Sequence, residues 1–322
     1  MTRAPLVTVA IPLYRSARFV DNIVSNIGML TYEPVEILIS DRHGLDDAID
    51  QLEVRYRQDP RVRFLRATDG IDWAAHYNEL LKAATGTYFC CMPHDDAYAT
   101  GYVEGLVARL EACPDAIVAC GVTHYDDTVT SKFSFTPPPV GPDEPPSVEV
   151  ALRLLLFWGV FQLVHGIFRR DLLLRHRLFL PRTRGTVFAD ICWAFSIVLY
   201  GRVEWVPGIE CVKHYQTSSA SSHWHYGVWQ GIEECRVMSA ALWASPHPRL
   251  RVLRGIAVLI YVALVRIAWR ILRRAIGRSA ARGPSTARSR AFGPLWRWLA
   301  PRGVEGVAPK LHVGRVKRVD QR

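Results

Sequence analysis

The apolar run Thr87–Met92 is followed directly by Pro93, His94, Asp95 and Asp96. Two adjacent carboxylates in a low-dielectric setting repel by a few kcal/mol at an effective dielectric of ~20 unless a cation or hydrogen-bond donors compensate. A divalent metal is the usual remedy, and oxygen ligands of this kind suit Mg²⁺ or Mn²⁺ carried in with a substrate's phosphates. In extended backbone successive side chains point to opposite faces, so one carboxylate of the pair meets the metal while the other holds the loop or the substrate. Read alone, the same residues equally suit the cap of a helix starting near Ala99. Asp41 closes a second apolar run, Val35–Asp41, and Asp69 precedes Gly70 in a turn dipeptide. Tyr14 follows the β-branched run Leu6–Pro12, and Asp190 stands at the head of a helix-like segment. Taken singly, each of these has an ordinary turn or cap reading. His165 and His214 likewise read as satisfied histidines, and Trp73 and Trp193 as packing residues.

The elements that must position these residues alternate in type. Strand-like Leu6–Pro12, Val35–Asp41, Val62–Ala67 and Thr87–Met92 are separated by helix-like Ser16–Leu30, Asp46–Asp59 and Trp73–Thr85, with Ser16 as an expected N-cap and Gly86 as an expected helix stop. This order predicts an α/β fold with a mostly parallel sheet covered on both faces. In such sheets ligands bind beyond the carboxyl ends of the strands, which is where Tyr14, Asp41, Asp69 and the 94–96 group all fall. A helix at Gly101–Ala112 and a strand at Ala116–Tyr125 follow, then a proline-rich loop and a second set of elements ending in the strand Val203–Tyr215.

Charge divides the chain. Residues 249–322 hold 18 Lys+Arg against Glu305 and Asp320, or +16, which leaves 22 basic and 28 acidic residues, or −6, for residues 1–248. The apolar run Ile256–Val265 is shorter than the ~20 residues of a membrane span. Arg266, Arg270, Arg273 and Arg274 recur at helical spacing, giving an amphipathic helix whose expected partner is an anionic membrane surface rather than nucleic acid. The seven cysteines form no Cys-x-x-Cys pair and read as reduced core residues, and the N-terminal residues lack a signal-peptide pattern, so a cytoplasmic location, peripheral on the inner face of the cell membrane, is expected.

The motifs together resemble family 2 glycosyltransferases of the GT-A fold. "VTVAIPLYRSARFVDNIV" looks like their first strand and helix, "VEILISDRHGLDD" like the second strand with its terminal acid, and "GIDWAAHYNELLKAATGTYFCCMPHDD" like the helix, strand and Asp-x-Asp metal motif. "HGIFRRDLL", "FADICWAF" and "VEWVPGIECVKHY" are similar to the glycine loop, the acidic motif at a helix head and the closing strand with its histidine. The resemblance implies a Rossmann-like GT-A domain over residues 1–225; beyond it the charge pattern predicts a helical membrane-associating region at 226–278 and a basic flexible tail at 279–322. It implies a nucleotide-diphospho-sugar donor bound by Pro12, Tyr14, Asp41, Asp69 and His94, a divalent metal held by Asp95 and His214, and Asp96 in a supporting or acceptor role. Asp190 would be the general base of an inverting transfer to a hydroxyl of a glycan or lipid-linked acceptor. Two positions depart from the pattern: Pro93 stands where a strict motif has its first carboxylate, and Ala189 where a Glu usually precedes the base. They leave open a degenerate binding or scaffold protein. A sugar nucleotidyltransferase is the other alternative, and it lacks its glycine-rich loop in "IPLYRSARF".

Overall fold

The computed structural model describes residues 4–67, 69–127, 132–135, 145–148, 150–151, 163–183, 188–215, 228–246, 255–256 and 260. The chain divides into two compact units, Met1–Arg266 and Ile267–Arg322. The second unit and Arg266, hence the cationic stripe and the basic tail, lie outside the described residues, as does most of the proline-rich loop.

The first half follows the alternation of the sequence. Strands β1 (Val7–Leu13), β2 (Val35–Asp41), β3 (Val62–Arg66) and β4 (Tyr88–Cys91) enclose helices α1 (Val20–Gly28), α2 (Ala48–Tyr56) and α3 (Trp73–Ala83). The strands pair in parallel in the order β3-β2-β1-β4, with Leu13 beside Asp41, Asp41 beside Arg66 and Ala10 beside Cys91. Period two explains their continuous apolar character: Val7, Val9 and Ile11 enter one core layer while Ala10 enters the other, so both faces are covered.

The second half runs in both directions. It comprises β5 (Ala97–Tyr98), α4 (Tyr102–Ala112), β6 (Ala116–Asp127), β7 (Lys132–Phe135), β8 (Ile167–Arg169), α5 (Arg170–Arg175), α6 (Ala189–Val198), β9 (Arg202–Tyr215) and α7 (Val228–Ala244). β8 lies antiparallel between β4 and β6, so that Phe168 pairs with Phe89 on one side and Val118 on the other. β6 and β9 pair in parallel, and β5 adds antiparallel to the far edge of β9. The sheet order is thus β3-β2-β1-β4-β8-β6-β9-β5, with β7 on β6. All seven cysteines are free, six of them buried.

Three local expectations change. Ser16 does not cap a helix: a 3₁₀ turn, Ala17–Phe19, precedes α1, and the Ser16 hydroxyl instead accepts the Tyr14 amide at 2.8 Å. Gly86 does not stop α3, which ends at Ala83. A Cβ there would lie 2.6–2.8 Å from the Thr8 nitrogen and the Tyr88 and Leu6 carbonyl oxygens, so glycine is needed for close backbone approach. Asp95 and Asp96 do not cap α4, because β5 intervenes and Gly101, at φ +80°, occupies the cap position.

Candidate functional site

The carboxyl ends of β1, β2 and β4 form one polar edge. Asp41 is buried at the end of β2, and its Oδ1 accepts the amides of His43 at 2.8 Å and Gly44 at 3.1 Å, an Asx-type turn. Oδ2 takes no hydrogen bond from another described residue. Tyr14, 42% exposed, stands edge-on to His43 with ring centroids 5.0 Å apart. Arg42 reaches the solvated Asp69, with Nε 3.0 Å from Oδ1, and this bond draws the Asp69 carboxyl below its ordinary range. Beneath them His76 is held by Ser40 at 2.8 Å, and burial pushes its pKa down to about 4, so the ring is neutral. Sequence reasoning missed His76, the fourth residue of α3, because a lone histidine on a helix carries no motif.

The next feature is the turn between β4 and β5. The Asp96 amide bonds the Pro93 carbonyl at 3.3 Å, closing the turn. Asn22 and Asn26 of α1 donate to the carbonyl oxygens of residues 94 and 96 at 2.8–2.9 Å, which pins the turn to the first helix. The His94 ring packs on Phe19 at 4.8 Å, and its Nδ1 lies 3.2 Å from the Ser16 hydroxyl and 3.3 Å from the Pro12 carbonyl. A carbonyl only accepts, so Nδ1 carries a hydrogen directed at that carbonyl. The two carboxylates part company here. Asp95 is half-buried and makes no hydrogen bond or ion pair with another described residue. Asp96 is 1% exposed, and its Oδ1 accepts the His214 amide at 3.0 Å.

Asp96 Oδ2 lies 3.7 Å from His165 Nε2, too far for a hydrogen bond, and neither atom has a hydrogen-bond partner among the described residues. His165 Nδ1 lies 3.1 Å from the Tyr98 hydroxyl, and Tyr102 donates to the His165 carbonyl at 2.8 Å. Burial lifts the Asp96 carboxyl to about 7, Lys213 opposing and Asp95 adding to the rise. Burial, with Lys213 assisting, holds His165 well below its usual range.

Asp190 belongs to a later element. It lies in the first turn of α6, after Phe188, whose φ of 65° is left-handed backbone that costs a bulky residue about 1–2 kcal/mol. The carboxylate is not an N-cap; its Oδ1 accepts the neighbouring Ile191 amide at 2.9 Å. Burial raises its pKa, against the Ile191 amide and the Lys213 charge. The His214 ring turns to Asp126, with Nδ1 3.3 Å from Oδ2. Trp193, expected to pack, is fully buried in α6.

Among the described residues no group of three or more His, Cys, Asp and Glu side chains stands ready to hold a metal ion. The donor set therefore fits a divalent metal with Asp95 as its single protein carboxylate and most of the remaining ligands from phosphates and water.

The family described as Glycosyl transferase family 2 matches residues 8–168, half of the chain, from β1 to β8. Asp190 and His214 lie beyond that span. An uncharacterized glycosyltransferase of Rickettsia typhi is 29% identical over 167 residues, 51% of this chain and 49% of that protein. The glycosyltransferase GlyG of Streptococcus pneumoniae is 24% identical over 123 residues, 38% of this chain and 41% of its own length. The chain thus spans about half or less of these curated relatives. Among solved structures, S. aureus TarS 1–349 in complex with UDP-GlcNAc superposes with a TM-score of 0.62 at 13% identity, covering 79% of this chain and 71% of that one. The mannosyltransferase PcManGT from Pyrobaculum calidifontis, in complex with GDP-Man and Mn²⁺, gives 0.56 at 18% identity over 93% and 82%. These likenesses establish a shared GT-A fold. With the family pattern running through the strands that build the polar edge, the chain belongs to glycosyl transferase family 2.

Proposed function

We propose that the protein transfers a sugar from a nucleotide-diphosphate donor to an acceptor hydroxyl, with inversion at the anomeric carbon. The observation that carries this reading is the polar edge itself: the family pattern over residues 8–168 runs through the parallel strands whose carboxyl ends present Tyr14, Asp41 and the Asp95 turn. Residues 1–225 hold these parts. Tyr14 stacks on the base, the free Oδ2 of Asp41 accepts a ring N–H, which suits uracil, thymine or guanine, and Pro12, Asp69 and His94 flank the nucleotide. The nucleotide sugars bound to TarS and PcManGT support a donor of this class.

In the transfer, Asp190 accepts the proton of the acceptor hydroxyl as its oxygen attacks the anomeric carbon, and the bond from that carbon to the diphosphate breaks on the opposite face. Bound Mn²⁺ or Mg²⁺ would supply positive charge to the departing diphosphate. Asp95 would hold it, and the Mn²⁺ in PcManGT supports this cofactor. His214 is the second candidate ligand, through its Nε2. Asp96 supports the turn by locking it to β9 through the His214 amide.

A thermal-shift panel of UDP, GDP and their sugars tests the reading. The matching donor at ~100 times its Kd adds about 2.7 kcal/mol of stability, with a larger shift in Mn²⁺ than in EDTA. Asp95→Asn should erase the Mn²⁺ increment and keep the remainder. No shift from any nucleotide would favour a scaffold protein.

A glycan or lipid-linked acceptor at the inner face of the cell membrane is proposed from the +16 C-terminal part. Within the described residues α7 exposes Trp229, Ile232 and Trp243, spaced so that they share one helix face. No helix among these residues is long and apolar enough to cross a membrane. The full chain should co-sediment with vesicles containing phosphatidylserine and stay in the supernatant with neutral vesicles, and high salt should release it.

A further inference from the structure

A cleft opens between α3 and the segment that follows α5. It measures about 240 Å³ and is lined by Ala75, Asn78, Glu79, Lys82, Phe179 and Arg182. The four α3 residues recur at i, i+3, i+4 and i+7, one stripe of the helix, and none of them is buried. The opposite wall is fixed by hydrogen bonds. The Asn78 side chain donates to the Leu180 carbonyl at 2.9 Å and accepts the Leu180 amide at 2.8 Å, which clamps the segment to α3. Two residues earlier the Leu178 carbonyl accepts the Trp193 indole N–H at 2.7 Å. Residues 178–182 are thus strapped to α3 by one bond set and to α6, the helix of Asp190, by another. From the α3 wall Glu79 reaches Arg42 at 2.7 Å, and Arg42 holds Asp69 at the nucleotide end.

Charge in the cleft is lopsided. Among the described lining residues Glu79 is the one carboxylate, and Arg42 neutralises it. The two cations have no such partner: Lys82 and Arg182 are exposed, and neither forms an ion pair with another described residue. Lys82 only rests its ammonium 5.1 Å from the centre of the Phe179 ring. Arg170 adds a third positive charge at the end of α3, donating to the Leu81 and Lys82 carbonyls at 3.1 and 3.2 Å, so the negative end of that helix is masked. Residues 1–248 carry −6 overall, which makes this a local reversal of the prevailing charge. A cleft of this size falls just below the ~300–1,000 Å³ of pockets for drug-sized ligands and has room for about one ring. From this lining we propose that the cleft is a subsite for an acidic sugar of the acceptor, with Lys82 and Arg182 meeting the carboxylate or phosphate that the sugar carries and Phe179 meeting the apolar side of its ring. The subsite rests on the sugar-transfer reading and narrows the acceptor to an anionic glycan. Its contacts to the oxyanion are charge-assisted, and a neutral sugar would leave both cations unused, so the cleft discriminates by charge.

Calorimetric titration of the full chain with trigalacturonate and its methyl ester, and with glucose 6-phosphate and glucose, tests this with and without saturating UDP or GDP. At least one acid should bind about tenfold or more tightly than its neutral counterpart, and nucleotide should not displace it. Lys82→Gln and Arg182→Gln should each lower that affinity about tenfold, the worth of one charge-assisted hydrogen bond. Both side chains are exposed, so the variants should melt with the wild type and keep its nucleotide affinity. Acids that bind no better than their neutral forms overturn the subsite, and so does an acid affinity that both variants leave unchanged. Displacement by UDP or GDP would put the acid in the donor site and overturns it as well. If instead the variants lose binding to phosphatidylserine vesicles and no acidic sugar binds, the cations serve a lipid headgroup and the proposal falls. Each of these results leaves the transferase reading standing. A chain that binds the acid and no nucleotide overturns that reading and leaves an acid-binding cleft.

Discussion

Asp190→Asn should lower turnover by about 10²–10⁴-fold, the usual contribution of a positioned general base, while leaving nucleotide binding and folding intact. Asn keeps the shape of the side chain and can still accept the Ile191 amide that Asp190 Oδ1 takes at 2.9 Å. What it cannot do is take up the acceptor's proton. The pH dependence gives the argument a second handle. Burial raises the Asp190 pKa above its ordinary 3.8, so the wild-type rate should fall on acidification at a higher pH than a solvated aspartate would allow. The sign for stability is opposite. A raised folded-state pKa means the folded protein holds that proton more tightly than the unfolded chain, so ionising the group at neutral pH costs stability. Asp190→Asn removes that cost, and its Tm at pH 7 should equal or exceed the wild-type value. Kinetic assay beside a melting curve separates the two; a variant that keeps its turnover removes Asp190 from the chemistry, and one that melts early removes the burial argument.

Trp193→Ala carries the largest expected loss of stability, about 3–5 kcal/mol for an aromatic deleted from a full core. The indole is fully buried, 4.9 Å from the Phe168 ring and 5.2 Å from Tyr77, and its Nε1 donates to the Leu178 carbonyl at 2.7 Å. Deleting it opens a cavity and strands a buried carbonyl, two costs that add. Trp193→Phe should lose less, since it keeps a ring and gives up mainly the hydrogen bond. Trp193 lies three residues after Asp190 on α6, so it also anchors the helix that presents the base. Chemical denaturation should read the loss in the midpoint; an Ala variant within 1 kcal/mol of wild type would mean the core collapses around the gap, by the standard set for such sites.

The parallel half of the fold was legible because each of its strands is a run of β-branched and apolar residues separated by a helix-length segment, and parallel pairing then forces Tyr14, Asp41 and residues 94–96 onto one edge. The two shortest strands were not. β5 has two residues and β8 three, too few to show any period, and their pairing depends on partners far along the chain. Ser16 misled for a related reason: its residue type suits a helix cap, but the turn after β1 offers its hydroxyl the Tyr14 amide and the His94 ring instead. The Asp95–Asp96 pair could be seen as chemically loaded, while the neighbours of the buried member, His165 and the His214 amide, come from two distant segments that only the sheet brings together.

The position of β8 bears on how the chain can be built. Phe168 is shared between β4 and β6, so until residues 167–169 have been synthesised both of those strands present bare backbone edges, each ready to pair with a neighbouring molecule. A nascent chain therefore passes through a stage in which its Rossmann-like half is formed yet open along β4, and closure waits on a segment nearly 80 positions later in sequence than Phe89. Any fragment cut before that segment inherits the bare edges of β4 and β6, which makes β8 the seam by which the sheet joins its two halves.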